Sequence, residues 1–98
     1  MVTPAALAAS ISKSAPPTDL APTVQALWWA AKGDWEKAHK IVQDDESAEA
    51  AWVHAYLHRV EGDLPNARCW YRTAGKPVAA DALEDEWKAI AAELLGGA

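Results

Sequence analysis

The sequence predicts a single all-α domain of 98 residues, made of two helical hairpins with a capping helix at each end. Alanine is prominent among the 51% of residues that are hydrophobic, and phenylalanine is absent. Alanine favours helix, and no stretch alternates apolar with polar residues over the length of a strand. Glycine followed by aspartate occurs at Gly33 and again 29 residues later at Gly62, each time between two helical apolar patterns. This recurrence indicates an internal repeat of helical hairpins.

Residues 1–19 are predicted to form a short helix followed by a proline-rich linker. Thr3 and Pro4 suit the N-cap and the first position of a helix that ends near Lys13. The pair of prolines that follows disfavours helix both before and within itself. The next helix is therefore expected to begin beyond this pair, near Leu20.

Residues 20–45 are predicted to form the first hairpin, with helices from about Leu20 to Lys32 and from about Asp34 to Asp44. A glycine such as Gly33 can adopt the left-handed conformation that ends a helix, and Asp34 can accept hydrogen bonds from the free N–H groups that open the next one. The positions expected to face the core are Leu20, Val24, Leu27, Trp28 and Ala31 in the first helix, and Trp35, Ala38, Ile41 and Val42 in the second.

Residues 47–75 are predicted to form the second hairpin. Ser47 can cap a helix that runs to Glu61, and a second helix is expected from about Asp63 to Ala74. The expected core positions are Trp52, Val53, Tyr56 and Val60, followed by Leu64, Ala67, Trp70, Tyr71 and Ala74.

Residues 81–95 are predicted to form the C-terminal capping helix. Asp81 and Glu84 have the spacing of a capping box at its start, and Gly96-Gly97 follows its end. The apolar stripe of this helix is Leu83, Trp87, Ile90, Ala91 and Leu94.

The second hairpin carries the spacing of a known helical repeat. In the stretch EGDLPNARCWYRTAG a corner glycine is followed by small, aromatic and small residues, namely Gly62, Ala67, Tyr71 and Ala74. This stretch resembles the second half of a tetratricopeptide repeat (TPR), and Gly33 and Ala38 match it in the first copy. The resemblance implies TPR-like hairpins forming a fragment of an α–α superhelix, with an extended surface for protein binding. The block LWWAAKGDW with WVHAYLHR also resembles small bacterial proteins of unassigned function, which implies no activity.

Charge and composition exclude several classes of partner. The formal net charge is −5 at pH 7, and no long basic stripe supplies the electrostatic footprint of nucleic-acid binding. No apolar run is long enough to span a membrane. The single cysteine, Cys69, cannot form an internal disulfide and is expected to be an inert packing thiol beside Trp70. We therefore expect a soluble, cytoplasmic protein with neither nucleic-acid nor membrane partners.

The repeat aligns four residues into one candidate partner-binding strip. Subtracting the 29-residue offset places His58 at the position of Trp29 and His54 at the position of Gln25. A tryptophan flanked by polar side chains is typical of protein interfaces. Alternatively, the N-terminal helix covers Trp29 and buries it.

Two arginines, Arg68 and Arg72, provide a second candidate for partner binding. They stand one helical turn apart and can hold a carboxylate or phosphate by paired hydrogen bonds. The alternative is that they pair with local acids of the 44–46 or 84–86 runs, which we expect to be solvated turns and helix starts.

The histidines also suggest a metal-binding alternative. His54 and His58 lie at i and i+4 on one helix, a spacing that can chelate Zn²⁺, and a third ligand has to come from His39 or Cys69. The stretch HAYLH lacks the glutamate that a zinc protease of the zincin class requires. We expect no bound metal and no cofactor, and keep a metal- or small-ligand-binding protein as the alternative.

No pattern of nucleophile, base and phosphate loop predicts an enzyme. The sequence instead predicts a non-catalytic protein–protein interaction module or small adaptor. Its protein partner is not identified by the sequence, and self-association into a homodimer is one alternative.

Overall fold

The computed structural model describes residues 2–96, and its regular structure is entirely helical in that range. The helices are α1 (Pro4–Ala9), continued by a 3-10 turn (Ser10–Ser12), α2 (Pro22–Lys32), α3 (Trp35–Val42), α4 (Ala48–Val60), α5 (Leu64–Ala74) and α6 (Leu83–Leu94). The all-α fold class is thus confirmed. No helix within residues 2–96 combines the length and apolar character that crossing a membrane requires. Gly97, part of the predicted C-terminal stop, lies outside the described residues.

The two glycine–aspartate corners form as the sequence predicts. Gly33 has φ of 92° and Gly62 has φ of 85°, both in the left-handed region that glycine adopts without steric cost. Asp34 then accepts a hydrogen bond from the backbone N–H of Lys37 at 3.1 Å, and Asp63 caps α5 in the same way. The first corner therefore ends one helix and opens the next within two residues, and the second does so within three.

The start of α6 differs from the prediction. No capping box forms between Asp81 and Glu84, because the N-cap position is Ala82, which has no side-chain oxygen. The backbone carbonyl of Asp81 accepts a hydrogen bond from Arg59 instead, and Glu84 lies 3.4 Å from Lys88. The link from Arg59 thus fixes the chain just before the helix.

Helix α4 lies at the centre of the fold. It packs against α2, α3, α5 and α6, while α1 packs against α2 and α6. Because α4 has neighbours on most sides, its residues are buried almost without interruption from Ala50 to His58. Between Ala50 and His58, α4 therefore presents no exposed residue to solvent.

Four residues assigned to the core by the apolar pattern are exposed, which corrects the prediction. They are Ala31, Val60, Leu64 and Leu83. The reason for Leu64 is tertiary: within residues 2–96, α6 packs along α1, α2 and α4 but not along α5. One side of α5 therefore remains uncovered.

Candidate functional sites

The four residues of the predicted partner-binding strip do not form one open surface. Gln25 is partly buried and its side-chain amide donates to the backbone carbonyl of Leu20 at 2.8 Å. His54 and His58 are only 4% and 7% exposed. Both rings lie between α3 and α5. His54 contacts His39 and Trp70, and His58 contacts Trp35 and Asn66.

Trp29 also departs from the predicted strip. It is partly buried, packs edge-to-face on Trp28 with ring centroids 4.8 Å apart, and carries Lys37 Nζ 4.1 Å from its ring. The N-terminal segment contacts the neighbouring tryptophan, since the indole N–H of Trp28 donates to Ser10 Oγ at 2.9 Å. The N-terminal segment therefore forms its tryptophan hydrogen bond with Trp28 and not with Trp29.

All three histidines of the chain meet between α3 and α4. His39 comes from α3, while His54 and His58 come from successive turns of α4. The Nε2 atoms of His39 and His54 are 2.9 Å apart, and one ring nitrogen from each of the three residues lies within 4.8 Å of the others. We refer to His39, His54 and His58 as the histidine cluster.

Tryptophan rings flank the histidine cluster. Trp35 stacks on His39 with a centroid separation of 4.7 Å, and Trp70 stacks on His54 at 3.9 Å. Trp35 is itself held by a hydrogen bond from its indole N–H to the carbonyl of Leu57 at 2.7 Å. The imidazole planes are therefore constrained by packing before any ligand is considered.

His58 is oriented by polar neighbours at the corner between α4 and α5. Its Nδ1 lies 2.5 Å from Glu61 Oε1, and the side-chain amide nitrogen of Asn66 lies 3.4 Å from its Nε2. A proton on Nδ1 that is donated to Glu61 leaves the lone pair on Nε2, where it can accept from the side-chain amide of Asn66. This arrangement selects one tautomer of His58.

Two members of the histidine cluster, His39 and His54, favour the neutral imidazole. Burial lowers the pKa of His54 to about 4, with further lowering from His39 and then His58. The pKa of His39 is lowered by burial and by His58, and is raised less strongly by Glu61. At neutral pH these two rings carry free lone pairs, and the buried Nδ1 of His54 has no hydrogen-bond partner among the described residues.

A second site is a groove beside α5. Its lining residues are Arg59, Leu64, Ala67, Arg68, Tyr71, Val78, Ala79 and Leu83, and its volume is about 450 Å³. The most exposed large apolar side chains in residues 2–96 are Val60, Leu64, Val78 and Leu83, and three of them line this groove. We refer to it as the α5 groove.

The two arginines predicted to bind a partner are separated by this geometry. Arg68 lines the α5 groove and Arg72 does not. Both are exposed, and neither forms an ion pair with any described residue, so the expected pairing with local acids is not seen. Cys69 between them is exposed, which corrects the expectation of a packing thiol.

Sequence patterns identified all three residues of the histidine cluster, but they did not predict that their rings lie together between α3 and α4. The sequence indicates His39 as a third ligand only because the chain contains few other strong metal ligands. The apolar residues of the α5 groove were missed, since an amphipathic pattern does not distinguish a core position from an uncovered one. Glu86, expected in a solvated run, is 4% exposed and pairs with Arg59.

The chain matches no protein-family model, no curated protein and no solved structure. What these two sites can bind therefore follows from their residues and geometry.

Proposed function

We propose that the protein is a non-catalytic interaction module that binds an extended, acidic segment of a partner protein in the α5 groove. In this proposal α2 with α3 and α4 with α5 are two TPR-like hairpins, and α1 and α6 are the caps. Because α6 covers α2 and α4, the first helices of both hairpins, the partner binds beside α5 instead of on that covered surface.

The observation that carries the proposal is the position of Leu64 and Leu83. Both belong to apolar stripes that predict burial, yet they are 48% and 39% exposed and line one groove together with Val78. Burying a leucine side chain fully contributes about 1.5–3 kcal/mol, so an uncovered cluster favours a partner that supplies apolar contacts.

The charge of the α5 groove favours an acidic partner. Its charged lining residues among those described are Arg59 and Arg68, and no acidic side chain lines it. Arg59 is already occupied by Glu86 at 2.8 Å, which leaves the Arg68 guanidinium available for a carboxylate. The partner segment that complements the α5 groove therefore carries a carboxylate next to one or two apolar side chains.

The size of the α5 groove also agrees with a peptide segment. A volume of about 450 Å³ falls within the range of concave sites that hold a small ligand or a few side chains. The partner segment therefore places only a few residues in the groove.

A random-peptide display selection against the purified protein tests the proposal. We expect enriched peptides to contain Asp or Glu next to apolar residues, and to perturb amide resonances of residues 64–71 and 78–83 in NMR titrations. Arg68→Glu should weaken such a peptide at least tenfold. The matched control is Arg72→Glu, the same charge reversal one turn further along α5, which should bind as wild type.

Two results would contradict the proposal. One is selection of basic or purely polar peptides, and the other is a perturbation of amide resonances outside the α5 groove.

The alternative partner is a second copy of the chain. Light scattering of wild type and Leu83→Asp compares their molar masses in solution. A dimer that this substitution dissociates would show that the groove binds a second copy of the chain.

A further inference from the structure

Beyond the α5 groove, the histidine cluster is arranged as a metal site. We propose that His39, His54 and His58 bind one Zn²⁺ ion through one ring nitrogen each, leaving a fourth coordination position for water. The site bridges α3 and α4, and none of its ligands lines the α5 groove. It is therefore a second, separate binding function.

The spacing of the nitrogens fits a small divalent ion. Zn–N bonds of about 2.0–2.1 Å with tetrahedral angles place ligand nitrogens roughly 3.3 Å apart. The Nε2 atoms of His39 and His54 are 2.9 Å apart. One ring nitrogen of His58 lies within 4.8 Å of a ring nitrogen of each of the other two histidines. Shifts of a few tenths of an ångström at the first pair, and a somewhat larger rotation of His58, bring the three lone pairs together.

His58 already has the hydrogen bond that a metal-binding histidine needs. Metal ligands of this type commonly donate their other ring N–H to a carboxylate, which fixes the tautomer and raises the basicity of the coordinating nitrogen. Glu61 Oε1, 2.5 Å from His58 Nδ1, is such a carboxylate. In this proposal His58 coordinates through Nε2, where the ion replaces the 3.4 Å contact with the side-chain amide nitrogen of Asn66, and Glu61 is a positioning residue.

The metal-free cluster does not satisfy itself well. Two imidazole nitrogens face each other across 2.9 Å and can share only one proton, so one of His39 and His54 must donate and the other accept. An ion that accepts both Nε2 lone pairs removes this conflict. The buried Nδ1 of His54 then carries the ring proton, and it has no partner among the described residues.

The ligand set selects the kind of ion. Imidazole nitrogens suit Zn²⁺, Cu²⁺ and Ni²⁺, whereas Mg²⁺ and Ca²⁺ require oxygen ligands. Three protein ligands with no fourth are typical of sites that keep an exchangeable water, while structural zinc sites use four. Trp35 and Trp70, stacked on His39 and His54, hold the rings in place.

A competing arrangement uses His58 with Glu61 and Asp63, whose ligand atoms also approach one another within 4.8 Å. It is less favourable for Zn²⁺ because its two carboxylates are already engaged. Glu61 accepts from His58, and Asp63 Oδ1 accepts from the backbone N–H of Asn66 at 3.3 Å. The two arrangements differ in whether they require His39.

The experiment is a titration of the full chain with Zn²⁺ against a chromophoric chelator, repeated with Co²⁺ to record its visible spectrum. We expect one ion per chain, a Kd below 1 μM, and Co²⁺ bands of four- or five-coordinate geometry. Free Zn²⁺ at 100 times Kd should raise Tm by roughly 10 °C, because an ion held between α3 and α4 binds the folded chain and not the unfolded one.

Variants distinguish the three-histidine site from the competing carboxylate arrangement and from adventitious binding. His39→Ala should weaken Zn²⁺ at least 100-fold, Glu61→Gln should weaken it about 10-fold, and Asp63→Asn and Cys69→Ser should bind as wild type. Retained affinity in His39→Ala, with loss in Asp63→Asn, would establish the competing carboxylate arrangement and overturn the proposal. A Kd above about 10 μM, or more than one ion per chain, would show adventitious binding only.

The proposal remains testable if His39→Ala unfolds. Long-range ¹H–¹⁵N spectra of the wild-type histidine rings, recorded with and without one equivalent of Zn²⁺, identify coordinating nitrogens directly. We expect one nitrogen of each of the three rings to shift to the metal-bound range. Shifts confined to His58 would overturn the three-histidine site.

Discussion

Arg59 in α4 and Glu86 in α6 form an ion pair with a nitrogen–oxygen distance of 2.8 Å, and Glu86 is only 4% exposed. The other carboxylate oxygen of Glu86 accepts a hydrogen bond from the hydroxyl of Tyr71 in α5. One buried carboxylate thus connects α5 and α6, whose backbones do not pack on each other within residues 2–96.

Replacing this carboxylate should destabilise the fold. We expect Glu86→Gln to lower the free energy of unfolding by about 2 kcal/mol, because it leaves the partly buried Arg59 without its closest counter-charge. Urea unfolding followed by circular dichroism measures the change. The matched control is Glu84→Gln in the same helix, whose exposed pair with Lys88 should contribute less than about 0.5 kcal/mol. Equal losses in the two variants would show that Glu86 has no special role.

The N-terminal segment should depend on one serine hydroxyl. Ser10 Oγ accepts from the indole N–H of Trp28 and donates to the carbonyl of Leu7 at 2.7 Å. Ser10→Ala leaves the buried indole N–H of Trp28 unpaired, at a cost of about 1–3 kcal/mol. Ser12→Ala, in the same 3-10 turn but exposed, is the control and should change stability little. A greater loss in Ser12→Ala, measured by thermal unfolding, would contradict this assignment.

Stability of the metal-free protein should fall as the pH drops from about 6.5 to about 4. The unfolded chain protonates His54 near its ordinary pKa of 6.5, whereas burial lowers the folded pKa to about 4. The unfolded state therefore binds more protons across this window, and the free energy of unfolding decreases as protons are added. We expect this residue to contribute on the order of 2 kcal/mol, with no further loss below the folded pKa.

Urea midpoints at a series of pH values with a chelator present measure this effect. His54→Phe keeps a ring against Trp70 and removes the titrating group, so its stability should depend less on pH between 6.5 and 4 than that of wild type. Identical pH profiles in the two proteins would show that His54 is not the source.

Local sequence rules predicted the helices well because their ends are determined by neighbouring residues. Thr3, Asp34, Ser47 and Asp63 all cap helices through their side chains. The prediction failed for the Asp81–Glu84 capping box, where a hydrogen bond from Arg59, 22 residues earlier, holds the Asp81 carbonyl. Such a distant contact leaves no local pattern.

The candidate sites were predicted less well, for a physical reason that His54 and Leu64 illustrate. The repeat placed His54 in the candidate partner-binding strip, and helical periodicity placed Leu64 on a core face. The structure buries the first at 4% exposure and exposes the second at 48%. Periodicity describes one helix, whereas burial depends on which other helices cover it.

Local residue patterns predict the all-helical class, the two glycine–aspartate corners and most helix ends, because caps and left-handed turns act over a few residues. The enclosure of α4, and the side of α5 that α6 leaves open, result from packing between helices. The enclosure of α4 brings the three histidines together, and the uncovered side of α5 forms the α5 groove. Both depend on contacts between residues far apart in the chain, whose energies no local pattern records.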